Sequence, residues 1–184
     1  MGIQVELCLQ NCYLPTKAAA QPPGANPPDS AIETDVAAIT PEHWETWFQQ
    51  WLEQLQPSLS SIQAYELSLR LTNDRDIQTL NAQYRQQDKP TDVLAFAALE
   101  ADYPQSEELQ ALPLYLGDII ISVDTAFKQA IAQGHPLKTE LMWLASHGLL
   151  HLLGWDHPDE ASLTEMLIQQ KALLGTVGVS IRDS

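Results

Sequence analysis

Three of the five histidines fall inside eleven residues, His147 to His157, in the order H-G-L-L-H-L-L-G-W-D-H. His147 and His151 are four apart, so on a helix both imidazoles leave one face about a turn apart and can share one ion. Gly154 follows three residues later, where a helix can end in the left-handed conformation that glycine adopts cheaply. The chain can then turn back and bring His157 to the same ion. Three neutral nitrogen ligands with a fourth position left to water are the arrangement of catalytic zinc, whereas structural zinc is usually closed by four protein ligands. No cysteine lies near enough in sequence to close the shell. One Zn2+ is the expected occupant, although nickel, copper and iron(II) also accept imidazoles.

The spacing is also the frame of the metzincin proteases, H-E-x-x-H-x-x-G-x-x-H, with one difference. Where that frame has the glutamate that takes a proton from water, this chain has Gly148. Peptide hydrolysis is therefore disfavoured. Glu140 sits seven residues before His147, two turns away on roughly the same face, and is a poor substitute. Asp156, beside His157, can orient a ligand imidazole or cap a turn. Turn and strand-end hydrogen bonding suffices to explain Asp92 and Asp118, and His135 reads as a helix-end residue.

Positioning these groups requires helices late in the chain, from about Leu137 to Leu153 and from about Asp159 to Leu174, where Gly175 is expected to stop the second. Earlier, Ile3, Val5, Leu7 and Leu9 alternate with polar residues as a strand does. Residues 15 to 31 hold five prolines and read as a flexible insertion in an otherwise single domain spanning 1 to 184. Thr40 followed by Pro41 starts a helix whose Trp44, Trp47, Phe48, Trp51, Leu52 and Leu55 recur at helical spacing, a stripe suited to core packing. Tyr65 to Leu71 alternates as a second strand, and Asn73 or Asp74 caps a helix running through Leu80 and Tyr84. Val93 to Ala97 is a short strand, the acidic stretch from Leu99 to Pro113 a loop, and Leu116 to Val123 a further strand. Asp124 can cap a helix that Gly134 closes. Early strands, late helices and the absence of hairpin signals predict an α+β fold, a small mixed sheet of about four strands covered by helices.

Composition narrows the function. With 24 acidic against 9 basic residues the net charge is −15, which argues against a generic nucleic-acid binder. Residues 70 to 98 are the exception, since Arg70, Arg75, Arg85 and Lys89 balance four aspartates there. An anionic ligand should approach that segment. No apolar run nears the ~20 residues that span a bilayer, and no basic-then-apolar leader opens the chain, so a soluble cytoplasmic protein is expected. Cys8 and Cys12 on one strand would stand ~13 Å apart, too far for a disulfide, and read as reduced, half-buried side chains.

The histidine segment, taken with Asn81 to Leu94 (N-x-x-Y-R-x-x-D-K-P-T-D-V-L) and Leu116 to Ser122 (L-G-D-I-x-I-S), resembles the YbeY family of bacterial endoribonucleases. The likeness covers roughly residues 60 to 160 in three ordered blocks. It implies a zincin-like, metal-dependent, single-strand-specific endoribonuclease acting in 16S rRNA 3′-end maturation and ribosome quality control. It further implies His147, His151 and His157 as metal ligands and Arg85 with His147 as catalytic residues. The partners it implies are ribosomal RNA, a small-subunit ribosomal protein and an Era-type GTPase. Many members have Ser-Phe-Pro where this chain has Ala95-Phe96-Ala97. A guanidinium presents a planar fork of donors that fits phosphate oxygens at any working pH. Absent the motif, Arg85 would read as a helix-end arginine paired with Asp88. A zinc metallopeptidase and a noncatalytic ribosome assembly factor are the alternatives.

Overall fold

In the computed structural model, which describes residues 2–14, 29–100 and 106–182, four strands form one mixed sheet in the order β1-β2-β4-β3. β1 (Gln4–Asn11), β2 (Ala64–Thr72) and β4 (Leu114–Ser122) run parallel, and β3 (Val93–Ala97) pairs antiparallel to β4 at the edge. The expected α+β fold is what the chain forms. Parallel neighbours need crossovers. These are supplied by α1 (Asp29–Ala37) and α2 (Pro41–Leu55) between β1 and β2, and by α3 (Asp74–Arg85) after β2. A single helical turn, α4 (Glu107–Gln110), precedes β4, and α5 (Val123–Gln133), α6 (Leu137–Leu152) and α7 (Glu160–Thr176) follow it.

Alternation along β2 sends Tyr65, Leu67, Leu69 and Leu71 to one face, where all four are buried. The helix α2 lays its tryptophan stripe there, with Trp44, Phe48, Trp51 and Leu52 fully buried in the main core. This is the packing use the stripe suggests. The indole of Trp51 donates to the Leu173 carbonyl at 3.0 Å, tying α2 to α7. Apolar on nearly all sides, α6 runs through the middle of this layer, as a helix enclosed by sheet and helices must. A smaller cluster, Ile77, Leu94 and Ile120, lies on the other sheet face under α3.

Several boundaries differ from expectation. Of the proline-rich stretch, residues 15–28 lie outside the described residues, while 29 to 31 begin α1. Asn73, not Asp74, caps α3, its side chain accepting from the Asp76 N–H at 2.9 Å. Ser122 caps α5, because Asp124 accepts instead from the Tyr13 hydroxyl and the Asp74 N–H, each at 2.9 Å. The stretch expected as an acidic loop carries a 3-10 turn at Ala98–Glu100 and α4, and residues 101–105 lie outside the described residues. Gly175 does not stop α7, which continues to Thr176, and the left-handed glycine is Gly178 at φ 80°. Cys8 and Cys12 are free, as expected, but exposed rather than half-buried.

Candidate active site

The two histidines of α6 point the same way, their Nε2 atoms 3.0 Å apart. After α6, Gly154 adopts φ 94° and the Trp155 N–H returns to the Leu150 carbonyl at 2.9 Å, reversing the chain. The reversal places the His157 ring 5.7 Å from that of His147 and 5.4 Å from that of His151. One ligand atom from each of the three lies within 4.8 Å of the others, a spacing that suits a single cation. Asp156 takes the turn-capping role of its two options, accepting from the His157 N–H at 2.8 Å.

The residue that orients an imidazole is Gln170 of α7. Its amide nitrogen is committed to the Trp143 carbonyl at 3.2 Å, so its oxygen faces Nδ1 of His147 at 3.1 Å. That contact sets the proton on Nδ1 and leaves the Nε2 lone pair toward the other histidines. Gln170 is fully buried on the stripe Met166, Gln170, Leu173 and Leu174, and a polar residue interrupting such a stripe is the signal that could have revealed it. Burial pushes the His147 imidazole below its ordinary value. The same desolvation, aided by the neighbouring imidazoles, lowers His151. Both are therefore neutral near pH 7, the state in which imidazole binds a metal.

Arg85 approaches from the last turn of α3. An Nη of its guanidinium donates to the Ala95 carbonyl of β3 at 2.9 Å, and its central carbon stands 5.4 Å from the Phe96 ring centroid. The pairing with Asp88 that Arg85 would suggest without the motif is not formed, and that carboxylate accepts from the Gln78 amide at 3.0 Å. Among the described residues the ion pairs are Lys128 with Asp74 and His135 with Glu140, so Arg85 has no carboxylate partner. Since Arg85 uses a main-chain oxygen at position 95, that bond does not depend on the side chain there. Arg85 and the three histidines line one cleft of about 580 Å3, together with Asp92 and Trp155. Asp92 accepts from the Val93 N–H at 2.7 Å and the Gln129 amide at 3.1 Å, a turn role as expected. Asp118 lies on the other sheet face, accepting from the hydroxyls of Ser68 and Tyr115.

Gly148 has a structural cause. A Cβ at this position would stand 2.8 Å from the Cγ2 of Ile119, because α6 presses onto β4 at this point. No glutamate fits without moving the buried Ile119. Glu140 is also unavailable, since it pairs with His135 at 2.5 Å and burial pushes its carboxyl up. His135 thus acts as a partner for Glu140 rather than as a bare helix-end residue.

A family model described as Endoribonuclease YbeY matches residues 30–178, a span that contains the cleft. The chain belongs to the YbeY family. A relative named Endoribonuclease YbeY from Trichormus variabilis is 56% identical over 179 residues, covering 97% of each chain. Another of that name from Trichodesmium erythraeum is 64% identical over 136 residues, 73% of this chain and 74% of the relative. A solution structure of a Thermotoga maritima protein shares 23% identity at a TM-score of 0.48, covering 92% of this chain and 89% of that one. No helix among the described residues is long and apolar enough to cross a membrane.

Proposed function

We propose that this chain is a metal-dependent endoribonuclease that cuts single-stranded RNA, acting in 3′-end maturation of 16S rRNA and in ribosome quality control. The observation that carries the reading is the shared cleft: three convergent imidazoles beside an arginine that has no carboxylate partner. In this reading His147, His151 and His157 hold one ion, Zn2+ by preference, and the donor set suits it. When bound, such an ion supplies Lewis-acid polarisation of a phosphate oxygen or of water. Arg85 binds the scissile phosphate through its planar fork and stays charged as negative charge develops. The Ala95 carbonyl and the Phe96 ring fix the plane of that fork. Gln170 keeps the His147 proton on Nδ1.

A net charge of −15 leaves little cationic surface for free RNA. The choice of which RNA is cut therefore comes from partners on the ribosome, by family resemblance a small-subunit ribosomal protein and an Era-type GTPase. A peptidase is disfavoured by the contact that excludes a side chain at Gly148. The test combines metal analysis with cleavage of single-stranded RNA by wild type, His147→Ala and Arg85→Ala. His147→Ala should lose metal, and Arg85→Ala should keep metal yet lose activity. RNA processing that survives Arg85→Ala would favour a noncatalytic assembly factor. Product ends separate two routes, because a 2′,3′-cyclic phosphate excludes direct attack by water.

A further inference from the structure

The buried stripe of α3 passes through Ile77, Leu80 and Asn81 and continues to Tyr84, yet it outruns the sheet it covers. Ile77 is fully buried and Tyr84 is 58% exposed, because β3 is an edge strand and, among the described residues, no further strand lies beyond it. The Tyr84 ring meets Phe96 edge-on, with centroids 5.3 Å apart and planes at 64°, while the Arg85 guanidinium carbon lies 5.4 Å from the same Phe96 ring. Phe96 thus bridges an open aromatic ring and a cation without a carboxylate partner. Among the described residues the Tyr84 hydroxyl has no hydrogen-bond partner, and its aromatic contact is with Phe96. A lone exposed tyrosine is ordinary. One fixed beside an arginine that has no carboxylate partner combines the two elements that single-stranded nucleic acid requires, a charge for the phosphate and a ring for the base.

We propose that Tyr84 is the stacking platform for an unpaired nucleobase next to the phosphate that Arg85 holds. The proposal rests on the endoribonuclease reading and deepens it by assigning selectivity for unpaired RNA to a residue. Paired bases are stacked within their own helix and cannot cover the ring, whereas a splayed base can, whatever its identity. Tyr84 acts in binding and touches no reacting atom.

The experiment measures KM and kcat of the metal-loaded protein on a short unpaired RNA and on versions with an abasic sugar at each position around the cut. For wild type, one abasic position beside the cut should raise KM by about tenfold, the scale of one base-on-aromatic stack, with kcat little changed. Tyr84→Ala should raise KM on the intact RNA by the same factor and lose its sensitivity to that abasic position. Tyr84→Phe, which keeps the ring face, should restore both. An unaltered KM in Tyr84→Ala overturns the proposal. So do losses that multiply on the abasic RNA, which would place Tyr84 against a protein partner or another part of the strand. If wild type cuts no RNA, the endoribonuclease reading itself fails and takes the platform with it; if wild type cuts and only the platform signature is missing, that reading stands.

Discussion

Gln170 fixes the ring whose other nitrogen faces the metal position, so the Gln170→Leu variant should keep the fold while metal affinity falls about ten- to a hundredfold. Titration with a competing chelator measures this, and an unchanged affinity would mean that packing alone orients His147. Asp74 makes a second prediction. Burial pushes its carboxyl upward, but the Ser122 and Thr125 hydroxyls and the Lys128 ammonium together outweigh burial and hold it below the ordinary 3.8. A carboxyl depressed on folding stabilises the protein above its unfolded value, and that stability is lost as pH falls through the folded value. The stability gap between wild type and Asp74→Asn, read from urea midpoints, should be constant near neutrality and shrink as pH drops below about 3.8. The convergence of the three histidines was legible in sequence because their spacing carries it, whereas Arg85 stood out only through the resemblance to the YbeY family. Gln170 was not legible, because it comes from another helix and its partner lies 23 positions away.

Elements set what the site can become. Gly148→Glu would restore the glutamate of the protease frame but drive a side chain into Ile119. The variant should lose about 1–3 kcal/mol of stability by overpacking and gain no peptidase activity, as chemical denaturation and a casein assay would show. Measurable hydrolysis of casein would revive the peptidase alternative. Periodicity located β1, β2 and α2, each of which buries one face, whereas β4 and α6 are buried on nearly all sides and carry no such pattern. It missed α1, whose residues follow a run of prolines that dominates local composition. It also ended α7 at Gly175, although tertiary packing of Leu173 and Leu174 carries the helix past a residue of low helix propensity.

At the scale of the molecule, charge decides behaviour toward RNA. If Arg85 and one further cation meet phosphate, the slope of log affinity against log salt for single-stranded RNA should be about −1, far shallower than for a basic RNA-binding protein. Fluorescence anisotropy across a salt series measures it, and a steep slope would require a cationic surface that the sequence does not contain. The sheet order was not readable from the chain, since pairing β4 between β2 and β3 depends on long-range contacts that no local pattern encodes. That order makes β3 an outer strand whose Ala95 carbonyl would be open to another polypeptide were it not occupied by Arg85. Arg85→Ala should therefore leave that carbonyl unpaired at the sheet edge, where a strand of another copy could pair with it. Under the proposed function the variant would lose a phosphate contact and expose that edge together, so lost processing in Arg85→Ala is attributable to chemistry only in a sample shown by light scattering to remain dispersed.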